Sequence, residues 1–582
     1  MMLYLSIGAL ALLFAWNLTS LYANYLSARK LGIPIIILPV SFDQPVLSLL
    51  MPYLSWVEKL PLGLGRWYRY ADVGWPTRDG NRTILEVGNE TFVLISPSSI
   101  LIMTAYPPAV NHVYRDRNLI VPSPFKDFLK ALGPHLSSVN GDVWTRHKRV
   151  TAQAFVEGNN RFMWDNTIEG VKDLLSTHVM PNEGQKAVWT LTTARERLEY
   201  LALHVLVGVG FGQKSTAEVQ SGHQRSLLSC LTVLLSHIFA ISFLDKVPLP
   251  YFILPSMLRK VKLNVAEFIL YMKEAVGSQL EKQLKSRAPS KSKKDKVSLV
   301  EALVASNEAA KERGEGMHLS DPELYGNLFL FNLAGFETTA GNLLYSMTFL
   351  GAYPAFQSWL TEEIDAHYIA GASSYDNTYP KLVRCLAFMH ETLRHCGPAP
   401  MMLRSPCVAT SIPTSPTTSM VVPPGAWISG HFYGVHLSPR WGPDAEEFNP
   451  KRFVRSTNDE TVGDGKQQKQ QEKLATPPGD AVYMAWALGH RACPGKKFSQ
   501  VEFVAAVAHL LSLYRIELVR SSAAESLEEA RKRFLDVIAE KYFVIGARVK
   551  RPDDISIRLV PREDKKEVLD ISWDMSALAS IR

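Results

Sequence analysis

The stretch WALGHRACPGKKF, residues 486–498, constrains this chain more than any other. Gly489 and Gly495 flank Cys493, Pro494 stiffens the bend, and an apolar helix, FSQVEFVAAVAHLLSLY, begins just after it. Glycines let a backbone loop approach a flat cofactor closely. Amides of the loop and of the helix N-terminus can stabilise a thiolate there, and Arg491 is close enough to meet an anionic group. A single cysteine is commonly just a buried apolar residue. The density of glycine, arginine and aromatic side chains around Cys493 favours a ligand instead. The other cysteines, Cys230, Cys385, Cys396 and Cys407, are irregularly spaced with no CxxC pair. Neither a disulfide framework nor a zinc ribbon is expected, and the bulk of the chain is assigned to a reducing compartment.

A second signal is the segment SDPELYGNLFLFNLAGFETTAGNLL. Ser320 and Glu323 form a capping box with Pro322 in the first turn. Ala334, Gly335, Glu337, Thr338 and Thr339 then interrupt an otherwise apolar helix. Glycine and threonine in a helix interior cost stability, and a buried carboxylate costs more. Such a conflict points to a functional site: a small-residue gap beside an acid and an alcohol can hold a diatomic ligand and relay protons to it. A packing notch is the plain alternative.

HETLRH, residues 390–395, nearly matches the zinc-protease HExxH motif. Zinc needs histidines at i and i+4. Here i+4 is Arg394, and His395 lies roughly 100° further round the helix, so that reading fails. Glu391 and Arg394 at i, i+3 remain as an ion pair. WGPDAEEFNPKRF (441–453) carries Arg452 after a Phe-x-Pro turn, and WTRHKR (144–149) places Trp144 and Lys148 on one helix face. GVGFG at 208–212 does not meet GxGxxG and reads as a helix end.

Residues 3–26, LYLSIGALALLFAWNLTSLYANYL, are uncharged and mostly apolar, with Arg29 and Lys30 following. About 20 such residues cross a bilayer as a helix, and the basic residues after the span place the following chain on the cytosolic side. A cleaved signal peptide is the competing reading, weakened by the missing basic n-region. Residues 29–60 then read as a connector stiffened by Pro34 and Pro39. Of three Asn-x-Ser/Thr sequons, Asn17 lies inside the span, and Asn81 and Asn89 would stay unmodified in a cytosolic body. Long helical runs are expected near 160–212, 225–285, 320–350, 380–395 and 497–515, and a β-hairpin over 84–96 around Gly88-Asn89. KSRAPSKSKKDK (285–296) and the Gln-rich stretch within 456–480 are too polar to fold and read as solvated loops. With 47% hydrophobic and 20% charged residues, the 582-residue chain has ordinary globular composition. Its net charge of +7 is spread along the chain, without the clustered basic stripe that nucleic-acid binding needs.

In this order, the segments resemble the cytochrome P-450 superfamily of haem-thiolate monooxygenases, over nearly the whole chain. In style they are similar to fungal microsomal members of secondary metabolism. The resemblance implies a mainly α fold with small β-sheets, preceded by a single N-terminal transmembrane helix (1–28), a membrane-contacting connector (29–60) and a catalytic domain (61–582). It implies haem b with Cys493 as the axial thiolate. Trp486 stands where the family usually has Phe, and Gly489 and Gly495 belong to the same signature. Glu337 and Thr338 match the acid-alcohol pair that activates oxygen. Glu391, Arg394 and Arg452 match the family's structural triad. Arg491, Arg404, Trp144 and Lys148 match groups around the haem propionates, with Lys148 in place of the usual arginine and so a single-point donor. His490 falls at a variable position and is not read as a ligand. Leu330, Leu333, Ala334, Ala399 and Met401 are the substrate-lining candidates, with the loop around 105–135.

The implied activity is oxidation of a lipophilic small molecule with O₂. Electrons would come from an NADPH-dependent flavoprotein reductase, docking near Lys496 and Lys497, at the cytosolic face of the endoplasmic reticulum membrane. Two alternatives are a haem-dependent isomerase, dehydratase or coupling enzyme on the same fold, and a non-catalytic haem-binding protein.

Overall fold

The structure is a computed structural model. It describes residues 2–562 apart from 42–50, 72–73, 124–129, 180–186, 213–218, 238–239, 242–243, 245–249, 251, 253, 286–296, 315, 458–470 and 544–545. Helices dominate, and the sheets are small. The organising element is α8 (Asp321–Ala352), a 32-residue helix buried on nearly every side. A helix apolar all round has to lie inside a core. The capping box expected at Ser320 and Glu323 starts it. It packs against α5 (Leu191–Phe211), α9 (Val383–His395) and α10 (Lys496–Leu513), and α10 also packs on α4 (Glu157–His178).

Two long helical runs are broken where the sequence pattern reads as continuous. Between α4 and α5, strand β4 (Ala187–Thr190) pairs antiparallel with β11 (Ser556–Pro561), which in turn pairs with β8 (Tyr514–Leu518). Thr190 then caps α5 by accepting a hydrogen bond from the Thr193 amide. The run 225–285 divides into α6 (Leu227–Ser236) and α7 (Ser256–Lys285), with Pro248, Pro250 and Pro255 between them.

The expected hairpin at 84–96 is displaced. Residues Arg82–Val87 form a short helix ended by Gly88 in the left-handed conformation, φ 67°. The Asn89 side chain accepts from the Thr91 amide, so Gly88-Asn89 stops a helix and does not turn a hairpin. The hairpin lies further on, β2 (Thr91–Ile95) against β3 (Ile100–Thr104). The connector is also more than a linker. Its residues Ile35–Ile37 form β1, parallel to β2, in a sheet of order β1-β2-β3-β5 with β5 at Trp427–Gly430. The Gln-rich insertion falls mostly outside the described residues, but an antiparallel pair, β6 (Val454–Thr457) with β7 (Gln471–Leu474), closes its base. The basic stretch 285–296 lies outside them except for Lys285.

Residues Met2–Arg29 form one helix, α1. Among the described residues, no helix is long and apolar enough to cross a membrane, so the expected transmembrane helix at 3–26 is not supported. A physical reason is visible at its C-terminal end, which belongs to the folded domain. Asn24 Nδ2 donates to Ser96 O at 2.8 Å, and Leu21 and Tyr25 pack on a cluster that buries Ala28 and Leu31. The turns before this leave Leu12, Leu13, Phe14 and Trp16 more than half exposed.

Candidate cofactor and active site

The Cys493 loop is tied by short-range hydrogen bonds before α10 begins. The Cys493 amide donates to Trp486 O at 2.9 Å and the Ala487 amide to Met484 O at 2.9 Å. Ala487 has φ 58°, a left-handed conformation that a non-glycine residue adopts only when its surroundings enforce it. Gly489 has φ 69°, and a Cβ there would sit 2.0 Å from the backbone oxygen of Tyr114. Contact with α2 (Pro107–Arg115) therefore already requires a glycine there. The Gly495 position has ordinary space, its nearest neighbour being Cys493 Sγ at 3.8 Å.

Cys493 is exposed, yet protein atoms crowd round its thiol closely enough for burial to act on it, so it sits in a recess. The protein around that recess pushes its thiol above the usual range, while the Gly495 amide pulls it down. Cys230, Cys385 and Cys396 are buried, and Cys407 is exposed elsewhere on the chain. Across from the loop, α8 presents Ala334, exposed in the middle of a buried helix, and Thr338 one turn on. Thr338 Oγ donates to Ala334 O at 2.7 Å. Phe155 bridges the two elements, 5.1 Å from Phe331 of α8 and 5.2 Å from Phe498 of α10.

A cluster of cations borders the loop. Arg491 and Lys148 lie 4.8 and 4.9 Å over the Trp144 ring. Arg491 donates to Val139 O and Asn140 Oδ1, and Lys148 Nζ to His490 O at 3.1 Å. Arg404 is buried over the Tyr114 ring, and its Nε has no hydrogen-bond partner among the described residues. Burial, then the charge of Arg404, pulls Arg491 down to about 10. Burial and the positive charges of Arg491, Arg404, Arg117 and Lys148 hold the His490 imidazole below its ordinary range. Among the described residues none of Arg404, Arg491 and Lys148 forms an ion pair with a carboxylate. A buried and a half-buried guanidinium that repel one another are stabilised by anions brought between them.

A family model for cytochrome P450 matches residues 92–540. The chain belongs to the cytochrome P450 family. It is 24% identical over 545 residues to a cytochrome P450 monooxygenase of the phomenoic acid biosynthesis cluster of Leptosphaeria maculans, covering 87% of this chain and 90% of that one. It is 28% identical over 460 residues to cytochrome P450 monooxygenase 124 of Postia placenta, covering 76% and 81%. A solved cyanobacterial P450, CYP120A1 with retinoic acid bound, shares the fold with a TM-score of 0.60 at 17% identity, over 91% of this chain and all of that one. This P450 is thus an oxidoreductase of the monooxygenase type. Like its family it uses haem held by a cysteine thiolate, O₂ and a redox partner, on a small-molecule substrate. Its residues fit the cofactor: an open thiol, an open helix face opposite, and cations lacking carboxylates where two propionates would lie.

Other expected site residues fall in more varied places. Glu337 is buried and turned away from the Ala334–Thr338 face. Arg195 of α5 donates to its Oε1 at 2.7 Å, and Arg548 of β10 (Ala547–Val549) to both oxygens at 3.3 Å. The acid and the alcohol, adjacent in sequence, are therefore not one pair in space: successive helix residues point about 100° apart. Glu391 and Arg394 form a bidentate pair, both contacts 2.8 Å, with no side-chain exposure. Arg452 Nε reaches Glu391 Oε1 at 3.2 Å, as expected of a triad. Trp486 donates its indole N–H to Ser499 Oγ at 3.0 Å, under Lys496. Lys496 is exposed, but Lys497 is spent on the Tyr379 ring, 4.0 Å away.

Of the lining candidates, Ala334 and Ala399 are exposed and Leu330 is half-buried. Leu333 and Met401 are each buried in a packed cluster, Met401 with Leu403 and Trp427. The 105–135 loop lies partly outside the described residues. Arg195, Arg548 and Tyr114 are neighbours of the expected site residues that the sequence reading missed. No motif marks them, because each acts through a fold contact between distant segments.

Proposed function

We propose that this P450 oxidises a lipophilic small molecule in a fungal secondary-metabolite pathway, with Cys493 as the ligand of the haem iron. The observation that carries the assignment is the coincidence, at one recess, of an open thiol with a buried Arg404 and a half-buried Arg491 that have no carboxylate partner among the described residues. When bound, the haem supplies activation of O₂, which electron donation from a thiolate ligand favours. The protein's own residues do the rest. Arg404, Arg491 and Lys148 hold the propionates, and Trp144 orders two of those cations through its ring face. Thr338 presents its hydroxyl on the open face of α8, positioned to hold and pass a proton. Glu337 takes part only when it leaves Arg195 or Arg548, so its ion pairs set when protons reach that face. Glu391, Arg394 and Arg452 hold the structure behind the site. Ala334 and Ala399 keep the wall small and apolar, which suits a bulky lipophilic substrate.

An NADPH-dependent flavoprotein reductase supplies the electrons, docking against exposed Lys496. The exposed apolar turns of α1 ahead of its docked end dip into the endoplasmic reticulum membrane, with the catalytic domain on the cytosolic face. Truncation before Asn24 should release the protein from vesicles without unfolding it. The second reading, catalysis without net oxygen insertion, draws on one observation: Glu337 is sequestered from Thr338. The test is reconstitution with reductase in a producing host. Product that requires O₂, NADPH and Cys493 supports the proposal. Product formed without O₂ supports the second reading and overturns the first.

A further inference from the structure

Away from the recess, the end of α9 and strand β9 (Lys541–Phe543) enclose a second group of reactive side chains. Lys541 Nζ lies 3.2 Å from Cys396 Sγ and donates to His395 O at 3.1 Å. It also sits over the rings of Tyr345 and Tyr433, 5.5 and 5.6 Å from their centroids. Cys396, Tyr345 and Tyr433 are each at most 3% exposed, and both phenol oxygens lack a hydrogen-bond partner among the described residues. Among the described residues Lys541 forms no ion pair with a carboxylate. A charge drawn partly out of water is ordinarily paired; here the acidic group in contact with the half-buried Lys541 is a thiol. Burial opposes the ammonium, yet the thiol and the phenols hold the amine above its ordinary range. Burial raises the Cys396 thiol, and Lys541 pulls it down.

We propose that Cys396 and Lys541 form a modification site at which hydrogen peroxide joins the two side chains through a sulfur–nitrogen bond. Thiol with amine and thiolate with ammonium are the same composition, so the pair can present the nucleophilic thiolate, the form that peroxide oxidises. The thiolate attacks one peroxide oxygen and the O–O bond breaks. The departing hydroxide takes a proton from the Lys541 ammonium, leaving a sulfenic acid, one water and a free amine. The amine lone pair then attacks sulfur, the S–O bond breaks, and the second hydroxide leaves as water with the amine proton. Sulfur loses two electrons and peroxide becomes two waters. The separation of 3.2 Å is already that of reacting atoms held for attack.

The bond would fasten β9 to the end of α9. The next strand, β10, is already held by Arg548 on Glu337, and Gly546 beside it has only 3.1 Å for a Cβ before Glu337 Cγ. The site therefore offers peroxide a way to lock the hairpin that carries a partner of Glu337.

The test is peptide mass spectrometry of the full-length holoprotein after graded peroxide. The expected product joins the Cys396 and Lys541 peptides, is two hydrogens lighter than their sum, and is released by dithiothreitol. It is absent from Cys396→Ser and from Lys541→Arg, which keeps the positive charge and so guards the fold. The proposal is overturned if wild-type Cys396 is recovered unmodified, or as sulfenic or sulfinic acid with Lys541 free. A link that carries an extra oxygen also overturns it, because the direct sulfur–nitrogen step would then be wrong. Both variants are controls, and the wild-type spectrum decides even where a variant fails to fold.

Discussion

Glu391 has no exposed side-chain surface, and burial alone would raise its pKa. Hydrogen bonds from Arg394 and His395 and their charges instead hold it at about 2. Its folded pKa is thus below its unfolded one, so its stabilisation is present above the unfolded pKa of 4.5 and is lost as pH falls through about 2. Glu391→Gln leaves Arg394 with its charge buried and its bidentate partner gone, and should cost about 3–5 kcal/mol. Thermal unfolding from pH 7 to 3 checks this: the wild type should lose stability on acidification and the variant should lose less. The recess cations obey the opposite logic, since they are paired only when anions arrive. Arg404→Met should weaken haem binding while leaving apoprotein stability the same or higher, because it deletes a buried cation that has no carboxylate partner among the described residues. Haem titration of apoprotein, with calorimetry in parallel, separates the two effects.

At the scale of elements, α8 and α10 meet through Thr339, whose hydroxyl lies 3.4 Å from Glu502 Oε2, while Oε1 has no partner. Burial pushes Glu502 up to about 8, only partly offset by Thr339. This carboxyl has a raised folded pKa, so its contribution is fully present below the unfolded value of 4.5 and is lost as pH rises through about 8. Glu502→Gln should therefore raise the melting temperature at pH 8 more than at pH 5. Gly489→Ala would place a Cβ 2.0 Å from Tyr114 O at a left-handed φ. It should abolish haem loading while a distant exposed substitution does not, as absorbance at matched protein concentration would show. The elements most legible in the sequence were those with strong local signals: the capping box of α8, the Cys493 turn and the α9 ion pair. What escaped it was set by pairing across the chain. β4 breaks a helical pattern because β11, more than 350 residues on, pairs with it. Glu337 was expected beside Thr338, and its ion pairs with Arg195 and Arg548 are contacts that no local pattern encodes.

Across the whole molecule, the sequence was a good guide to the family and a poorer one to how the front end is used. The apolar run of α1 was visible, but its docking through Asn24 onto Ser96 is a contact that no local pattern encodes. Removing residues 2–20 should leave the melting temperature within a few degrees and sharply reduce vesicle flotation. Removing residues 2–38 should unfold the β1 edge as well, since Ala28, Leu31 and Leu38 are buried in the domain. The fold as a whole serves to bring together one thiol, a set of cations without carboxylate partners among the described residues, and an open helix face. The direct test is the absorbance spectrum of the reduced, carbon monoxide-bound protein, for wild type and Cys493→His at equal haem occupancy. Ligation by Cys493 predicts a thiolate-type band in the wild type and an imidazole-type band in the variant. A thiolate-type band that survives in Cys493→His would place the iron on another cysteine and contradict the assignment.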